Sequence, residues 1–287
     1  MRGTVRPPAV AGTFYEGEPQ ALRRTVERCL ARGAAPRKRA PAEWRALLLP
    51  HAGYVYSGPI AGAGAAAVDL PEAAILLGPN HTGLGAPLAL SGVEAWRTPL
   101  GDVPVDARLG EALLAHAPHL VRDDRAHARE HSLEVLLPFL QTLRPDVTAA
   151  FVSIGAHDLS LCRELGRAVA AVVREEEARG RRVAIVVSSD LNHYLPRAAN
   201  RVKDDRALDA LLLGDPAELF DRVLERERIS MCGILPATAM LEALEALGGA
   251  RGVLLAQGDS ADAYGDESRV VGYASVLFET VPEGETH

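Results

Sequence analysis

Short, uninterrupted apolar runs recur along the 287 residues of the chain, and they constrain its fold more than any other feature. Runs of this kind that are rich in β-branched residues are typical of strands buried on both faces of a parallel sheet. The run that ends at Val187 is the strongest example. The pattern predicts strands over residues 45–49, 74–77, 88–90, 147–154, 182–187, 252–256 and 270–277.

Apolar residues at helical spacing fill most of the stretches between these strands. The first helix is marked by Pro19 near its start and by Gly33 as its stop, and the helix over 131–143 has to tolerate Pro138 at some cost. Strands that alternate with helices predict an α/β fold, and no repeat or linker divides residues 1–287, so we expect a single domain. The predicted helices cover residues 19–30, 106–115, 131–143, 159–177, 205–213, 216–224 and 236–247.

Composition excludes several classes of function. A formal charge of −7 argues against nucleic acid as a partner, because phosphate binding needs a basic face. No apolar stretch is long enough to span a bilayer, and the first residues lack the apolar core of a signal peptide. The three scattered cysteines form no disulfide framework, which favours a reducing compartment. We therefore expect a cytoplasmic protein without nucleic-acid or membrane partners.

Three histidines follow predicted strands closely. His51 and His81 close the runs near residues 49 and 77, and Asp190 and His193 follow the run that ends at Val187. Ligands of open α/β sheets bind outside the carboxyl ends of the strands, so these side chains can converge on a metal or an acid–base site. A single histidine at a strand end is more often a structural residue than a ligand, and the case for a site depends on their convergence. Asp190 is also consistent with a cap on the next segment.

Cys232 lies just before an apolar helical pattern, and Glu130 and His131 lie near the start of another. A free cysteine is usually a small buried apolar residue, but a thiolate here could also bind Zn²⁺, Cu⁺ or Fe²⁺ or act as a nucleophile. Glu130 and His131 are expected to reach the site from behind the ligands. Glu134 is explained by the dipole of the helix that it opens.

Several short segments together resemble the MEMO family, whose prokaryotic members are known as component B of the AmmeMemoRadiSam system. The resemblance runs in order from about residue 6 to residue 278. Each segment is short, but the ordered set is specific. The matching stretches are 11–15, 50–54, 77–81, 97–100, 130–134, 187–190, 231–233, 259–262 and 270–274.

The resemblance implies a single-domain α/β sandwich around a central mixed, largely parallel sheet, like that of class III extradiol dioxygenases. It implies that His51 and His81 are metal ligands, that His193 is the acid–base histidine, and that Cys232 replaces the carboxylate ligand of the dioxygenases. A thiolate changes the redox behaviour of iron, so the fold does not carry the dioxygenase reaction over. The implied metal is Fe²⁺, with copper or Zn²⁺ as alternatives.

Three functions remain open on the sequence. The first is a metal-dependent oxidoreductase that acts on a small molecule, with His193, Asp190, Glu130 and His131 as catalytic residues beside the metal. The second is a non-catalytic protein that binds a peptide or partner, with AMMECR1-like and radical SAM proteins as the expected partners. The third is a hydrolase that uses Cys232 and His193.

Overall fold

The computed structural model describes residues 4–33 and 38–281. Its strands are β1 (Val5–Arg6), β2 (Trp44–Leu49), β3 (Ala73–Pro79), β4 (Leu88–Leu90), β5 (Ala95–Thr98), β6 (Gly101–Pro104), β7 (Val121–Arg122), β8 (Thr148–Ile154), β9 (Val183–Ser188), β10 (His193–Leu195), β11 (Ala250–Asp259) and β12 (Val270–Thr280). Its α-helices are α1 (Pro19–Arg32), α2 (Tyr54–Ala66), α3 (Ala107–His116), α4 (Leu137–Leu143), α5 (Leu159–Ala178), α6 (Arg197–Leu213), α7 (Pro216–Phe220), α8 (Ile234–Ala246) and α9 (Ala261–Tyr264).

Most strands belong to one large mixed sheet in the order β10-β12-β2-β9-β3-β8-β4-β7, and β11 pairs with β12 beside this path. The central strands β2, β9, β3 and β8 are parallel, whereas β12 and β4 join them in antiparallel pairing. A small separate sheet has the order β1-β5-β6. The expected single-domain α/β fold with a mixed sheet is confirmed.

Helices cover both faces of the central strands. Ile75 and Leu77 of β3 pack into the core under α3, α5 and α8, whereas Ala74 and Leu76 pack into the core on the opposite face. Alternate side chains of a strand point to opposite faces, so a strand covered on both sides must be apolar throughout. This is why the uninterrupted runs identified the strands. Within the described ranges, no helix is both long and apolar enough to cross a membrane.

Helix α2 was missing from the sequence prediction, because its small residues give no apolar periodicity. Those small residues let α1 and α2 approach closely. A Cβ added to Gly62 would lie 2.5 Å from the backbone carbon of Cys29, and one added to Gly33 would lie 2.0 Å from the Cα of Ala63. Cys29 is buried in this contact.

The predicted helix over 131–143 is wrong in its first half. The α-helix begins only at Leu137, after the 3₁₀ turn Glu134–Leu136, so Pro138 lies in the first turn, where no amide donor is needed. The preceding residues form a loop that directs side chains toward the sheet edge. Helix α6 is longer than predicted and begins at Arg197, and α7 continues into the π-helical stretch Asp221–Arg226.

Candidate metal centre

The site lies where the central parallel strands end. His51 follows β2, His81 follows β3 and Asp190 follows β9, and these three strands are neighbours with the same direction. His131 reaches the same place from the loop before α4, and Cys232 from the residue pair before α8. The structure therefore brings His51, His81 and Asp190 together at the carboxyl edge of the sheet, as expected from the sequence.

Two overlapping sets of side chains could hold a metal ion among the described residues. His51, His81 and His131 form one set, and His51, Asp190 and Cys232 form the other; within each set the ligand atoms lie within 4.8 Å of one another. His51 belongs to both. From the sequence, we expected His51 and His81 to be ligands together with Cys232, and His131 to lie behind them. In the structure, His131 lies where it could itself be a ligand.

The imidazoles of the first set are packed ring against ring. The ring centroid of His51 lies 5.2 Å from that of His81 and 5.4 Å from that of His131, and the rings of His81 and His131 stack at 4.7 Å. Phe14 also packs against His131, and the centroids of their rings lie 4.8 Å apart. Burial and the neighbouring imidazoles lower the pKa of His51 and of His131, which leaves their nitrogen lone pairs for a cation.

The tautomer of His51 follows from its hydrogen bonds. Its Nδ1 lies 2.6 Å from Ser188 Oγ, and Ser188 Oγ donates to the carbonyl oxygen of Ser132 at 2.6 Å. Since a hydroxyl has one proton and the carbonyl can only accept, Ser188 must accept from the Nδ1–H of His51. The Nε2 atom is then a free base. Burial and the charges of nearby His131 and His81 keep the pKa of His51 well below its usual range.

His81 is oriented by a buried carboxylate. Its amide donates to Glu130 Oε2 at 2.6 Å, and its Nδ1–H donates to Glu130 Oε1 at 2.9 Å. Burial opposes the charge on Glu130, but the hydrogen bond and charge of His81 outweigh it and lower the pKa of Glu130 to about 2. A carboxylate that fixes an imidazole in this way is the usual support of a histidine ligand. Glu130 therefore orients His81. Against the effect of burial, its hydrogen bond and charge also raise the pKa of His81, so a cation at Nε2 would have to displace a proton.

Asp190 does not cap the following segment, which excludes that alternative. Its Oδ1 accepts the backbone N–H of His51 at 2.8 Å, so the side chain points back to the end of β2. Burial raises the pKa of Asp190 to about 7, against the lowering effect of backbone hydrogen bonds from His51 and Ala52. The carboxyl group is thus held by backbone amides, and the charge of His81 offsets its burial only in part.

Cys232 faces His51 across the second set. Its Sγ lies 3.2 Å from His51 Nε2 and accepts the backbone N–H of Asp190 at 3.1 Å. Gly233 makes this approach feasible, since a Cβ there would lie 2.3 Å from the Cβ of Ser189. Burial and the charge of Asp190 raise the pKa of the Cys232 thiol well above its usual range. The sulfur is therefore a thiol, and only a nearby cation would favour the thiolate.

His193 stands beside these sets and belongs to neither within the described ranges. Its Nδ1–H donates to the carbonyl oxygen of Ser230 at 2.8 Å, which leaves Nε2 as the basic atom. Burial lowers the pKa of His193, partly offset by hydrogen bonds to the backbone of Ser230 and Leu191, and the charge of His81 lowers it further. The neighbouring Tyr194 has a φ of 65°, a strained conformation for a non-glycine residue.

Arg6 and Glu134 form a buried pair that holds the backbone of Glu130, a role that was not predicted from the sequence. Glu134, interpreted there as a first-turn acid, is completely buried and pairs with Arg6 at 2.7 Å. Its carboxylate also accepts from the hydroxyl of Tyr15 at 2.6 Å. Arg6 in turn donates to the backbone carbonyl of Glu130 at 2.5 Å. A single arginine in a short N-terminal segment gives no periodic signal from which this role could be predicted.

A cavity of about 450 Å³ lies near the site but is not lined by its candidate ligands. The loop that contains Phe14 and the facing sides of α1 and α2 form its walls. Phe14 is the shared element, since it lines the cavity and also packs against His131. The polar chemistry of the site is thus separated from this cavity by an aromatic side chain.

Comparison with known proteins identifies close similarity over nearly the whole chain. A family model described as Memo-like protein matches residues 6–277. A MEMO1 family protein from Methanopyrus kandleri is 39% identical over 283 residues, which cover 95% of this chain and 98% of the relative. Relatives with the same family name from Aquifex aeolicus and Methanosarcina acetivorans are 38% and 40% identical, and each comparison covers 96% of this chain and 99% of the relative.

Proposed function

The chain belongs to the Memo-like protein family, and from this premise we propose that it binds one non-haem metal ion at the carboxyl edge of its sheet. The observation that carries the proposal is the position of His51, which belongs to both candidate ligand sets and whose hydrogen bonds leave Nε2 without a proton. One imidazole nitrogen can bind one ion. We therefore assign a single ion, held by His51 and His81 on one side and by Cys232 on the other.

The donor groups fit a divalent or soft cation. Neutral imidazoles and a thiol suit Fe²⁺, copper or Zn²⁺, and they do not suit Mg²⁺ or Ca²⁺, which prefer oxygen. Burial raises the pKa of both Asp190 and Cys232, while it lowers the pKa of His51. A cation would stabilise the ionised acid, the thiolate and the neutral imidazole at once. We favour Fe²⁺, with copper and Zn²⁺ as the alternatives.

The chemistry we propose is redox or dioxygenase-like conversion of a small molecule. A bound Fe²⁺ or copper ion would supply the redox reactivity toward oxygen. The chain itself holds His81 through Glu130, so that the imidazole is rigid and more basic. The basic Nε2 of His193 is the atom that takes or returns a proton.

The hydrolase alternative is disfavoured by the state of Cys232. A nucleophilic cysteine needs a lowered pKa, which usually comes from a positive neighbour. Here His51 is neutral and Asp190 adds a negative charge, so the pKa of Cys232 is raised. A non-catalytic peptide- or partner-binding protein remains the competing proposal. It predicts that binding of AMMECR1-like or radical SAM partners survives the loss of His51.

The test is metal analysis of protein purified anaerobically without an affinity tag. We expect near-stoichiometric metal in the wild type and in the Cys162→Ser control, whose cysteine is buried in the core away from the site. His51→Ala and Cys232→Ser should both lose the metal. Full occupancy in both site variants, or no metal in the wild type even after anaerobic addition of Fe²⁺, would overturn the proposal.

A further inference from the structure

A second polar layer lies behind His193 and is centred on Asp204 of α6. Asp204 is buried, and each of its oxygens accepts from a neutral donor: Oδ1 from the backbone N–H of Asn192 at 2.8 Å, and Oδ2 from Asn200 Nδ2 at 2.9 Å. Gly272 closes the space around the carboxylate, since a Cβ there would lie 2.1 Å from Asp204 Oδ2. The carboxylate is therefore tightly packed and faces only donors.

The orientation of every amide in this layer follows from the carboxylate. Asn200 Nδ2 must face Asp204 Oδ2 and the carbonyl of Asn192, because both can only accept. Asn200 Oδ1 then accepts from Asn192 Nδ2 at 2.7 Å. Asn192 Oδ1 is thereby left to accept the backbone N–H and the hydroxyl of Ser230, both at 3.1 Å.

Ser230 connects these amides to His193 through two hydrogen bonds. Its Oγ accepts the backbone N–H of His193 at 2.9 Å, and its carbonyl oxygen accepts the Nδ1–H of His193 at 2.8 Å. The carbonyl cannot donate, so the proton stays on Nδ1 and the lone pair on Nε2. A free neutral imidazole has no such constraint, because either ring nitrogen can carry its proton.

We propose that Asp204 is a positioning residue: through Asn200 and Asn192 it holds the backbone carbonyl of Ser230 against Nδ1 of His193 and so fixes the tautomer of that imidazole. The inference rests on the proposed function, in which His193 Nε2 moves a proton. An asparagine at position 204 would have nearly the same volume but would turn one acceptor into a donor. That donor would face the N–H of Asn192 or Asn200, so one link in the layer must break.

The test compares Asp204→Asn with Asp205→Asn, a change of the same kind at the adjacent, exposed residue. Two-bond ¹H–¹⁵N correlation spectra of ¹⁵N-histidine-labelled full-length chain distinguish the two tautomers, and His193→Gln assigns the signals. The spectra are recorded at about pH 8, where Asp204 is mainly ionised, because burial raises its pKa only to about 7. We expect the Nδ1–H tautomer in the wild type and in Asp205→Asn, and a substantial Nε2–H population in Asp204→Asn.

An unchanged tautomer in folded Asp204→Asn would overturn the inference. If that variant does not fold, Ser230→Ala decides, because it removes the hydroxyl link at an exposed residue. It should shift His193 in the same direction, and a wild-type tautomer there would also overturn the inference. Because the spectra need no added metal, failure of metal binding in the wild type would count against the proposed function and leave this result independent.

Discussion

The two sides of the candidate metal centre are supported in different ways. On the imidazole side, His81 and Glu130 form a paired acid and base, and the buried ion pair of Arg6 and Glu134 holds the backbone of Glu130 from behind. On the thiol side, Asp190 and Cys232 form no ion pair within the described part of the chain, and neutral hydrogen bonds hold them in place. If the proposed ion binds, the contrast predicts that the thiol side depends on it more.

The pKa shifts follow the same division. The pKa of Glu130 falls to about 2, because pairing with His81 outweighs its burial, whereas burial raises the pKa of Asp190 to about 7 and that of Cys232 well above its usual range. On the imidazole side, the negative charge of Glu130 is therefore already balanced by His81. The thiol side gains most from the positive charge of a bound ion.

The largest expected effect is on the buried ion pair of the imidazole side. Arg6→Met leaves Glu134 charged and buried without its partner, which should lower the free energy of unfolding by about 3–5 kcal/mol. The matched control is Arg97→Met, which breaks an exposed, solvent-screened pair with Asp102 and should change the free energy of unfolding far less. Urea denaturation measures both. Equal losses in the two variants would show that the buried pair stabilises the protein no more than an exposed pair does.

The next effect concerns the orientation of His81. Glu130→Gln should weaken metal binding by roughly 10–100-fold, because the amide cannot accept all the donors that the carboxylate holds. Glu164→Gln is the matched control, since Glu164 likewise accepts both the amide and the Nδ1–H of His119, at the surface. Isothermal titration with Fe²⁺ under argon measures the affinities. Unchanged affinity in Glu130→Gln would show that His81 is not a ligand.

The two sides should also differ in how pH affects stability. The pKa of Asp204, in the layer behind the thiol side, is raised to about 7 by burial. Its stabilising contribution is complete below its unfolded pKa near 4 and is lost as pH rises through about 7, on the order of 2 kcal/mol between pH 5 and pH 8. Asp204→Asn should flatten that decline. The pKa of Glu130 is lowered instead, so its contribution is lost only as pH falls from about 4 toward 2.

Urea denaturation at several pH values in the presence of a chelator tests this contrast. Asp205→Asn, at an exposed position, should retain the decline of the wild type. If the free energy of unfolding declines as steeply in Asp204→Asn as in the wild type, the decline arises from another titrating group.

The smallest expected effect is on thiol reactivity. In chelator-treated protein at neutral pH, iodoacetamide should alkylate Cys232 no faster than an ordinary free cysteine, because the pKa of its thiol is raised. Peptide mapping by mass spectrometry measures the rate at Cys232 alone. Accelerated alkylation would indicate a preformed thiolate and would revive the hydrolase interpretation.

The sequence predicted those parts of the molecule that follow from strand patterning. The strands were identifiable because both faces are buried, and His51, His81 and Asp190 followed because parallel strands bring their carboxyl ends together. Helix α2 was not predictable from apolar periodicity, since its fit against α1 depends on glycines that allow backbone contact.

The supports of the site were harder to predict than its candidate ligands. The partners of Glu134 and Glu130 are far away in sequence, so their burial and pairing cannot be inferred from local pattern. The same holds for His131, which enters the imidazole set because the helix starts at Leu137 and leaves a loop before it. Long-range packing decided these roles.

The central claim is that one ion contacts both sides of the site. The most direct measurement is a Co²⁺ titration of chelator-treated wild type under argon, followed by absorption spectroscopy, beside His81→Ala, Cys232→Ser and the Cys162→Ser control. We predict one equivalent bound, with a sulfur-to-cobalt charge-transfer band that Cys232→Ser loses and Cys162→Ser keeps, and weaker binding in His81→Ala. A wild-type spectrum without the charge-transfer band, or wild-type affinity in His81→Ala, would contradict a single ion shared by the two sides.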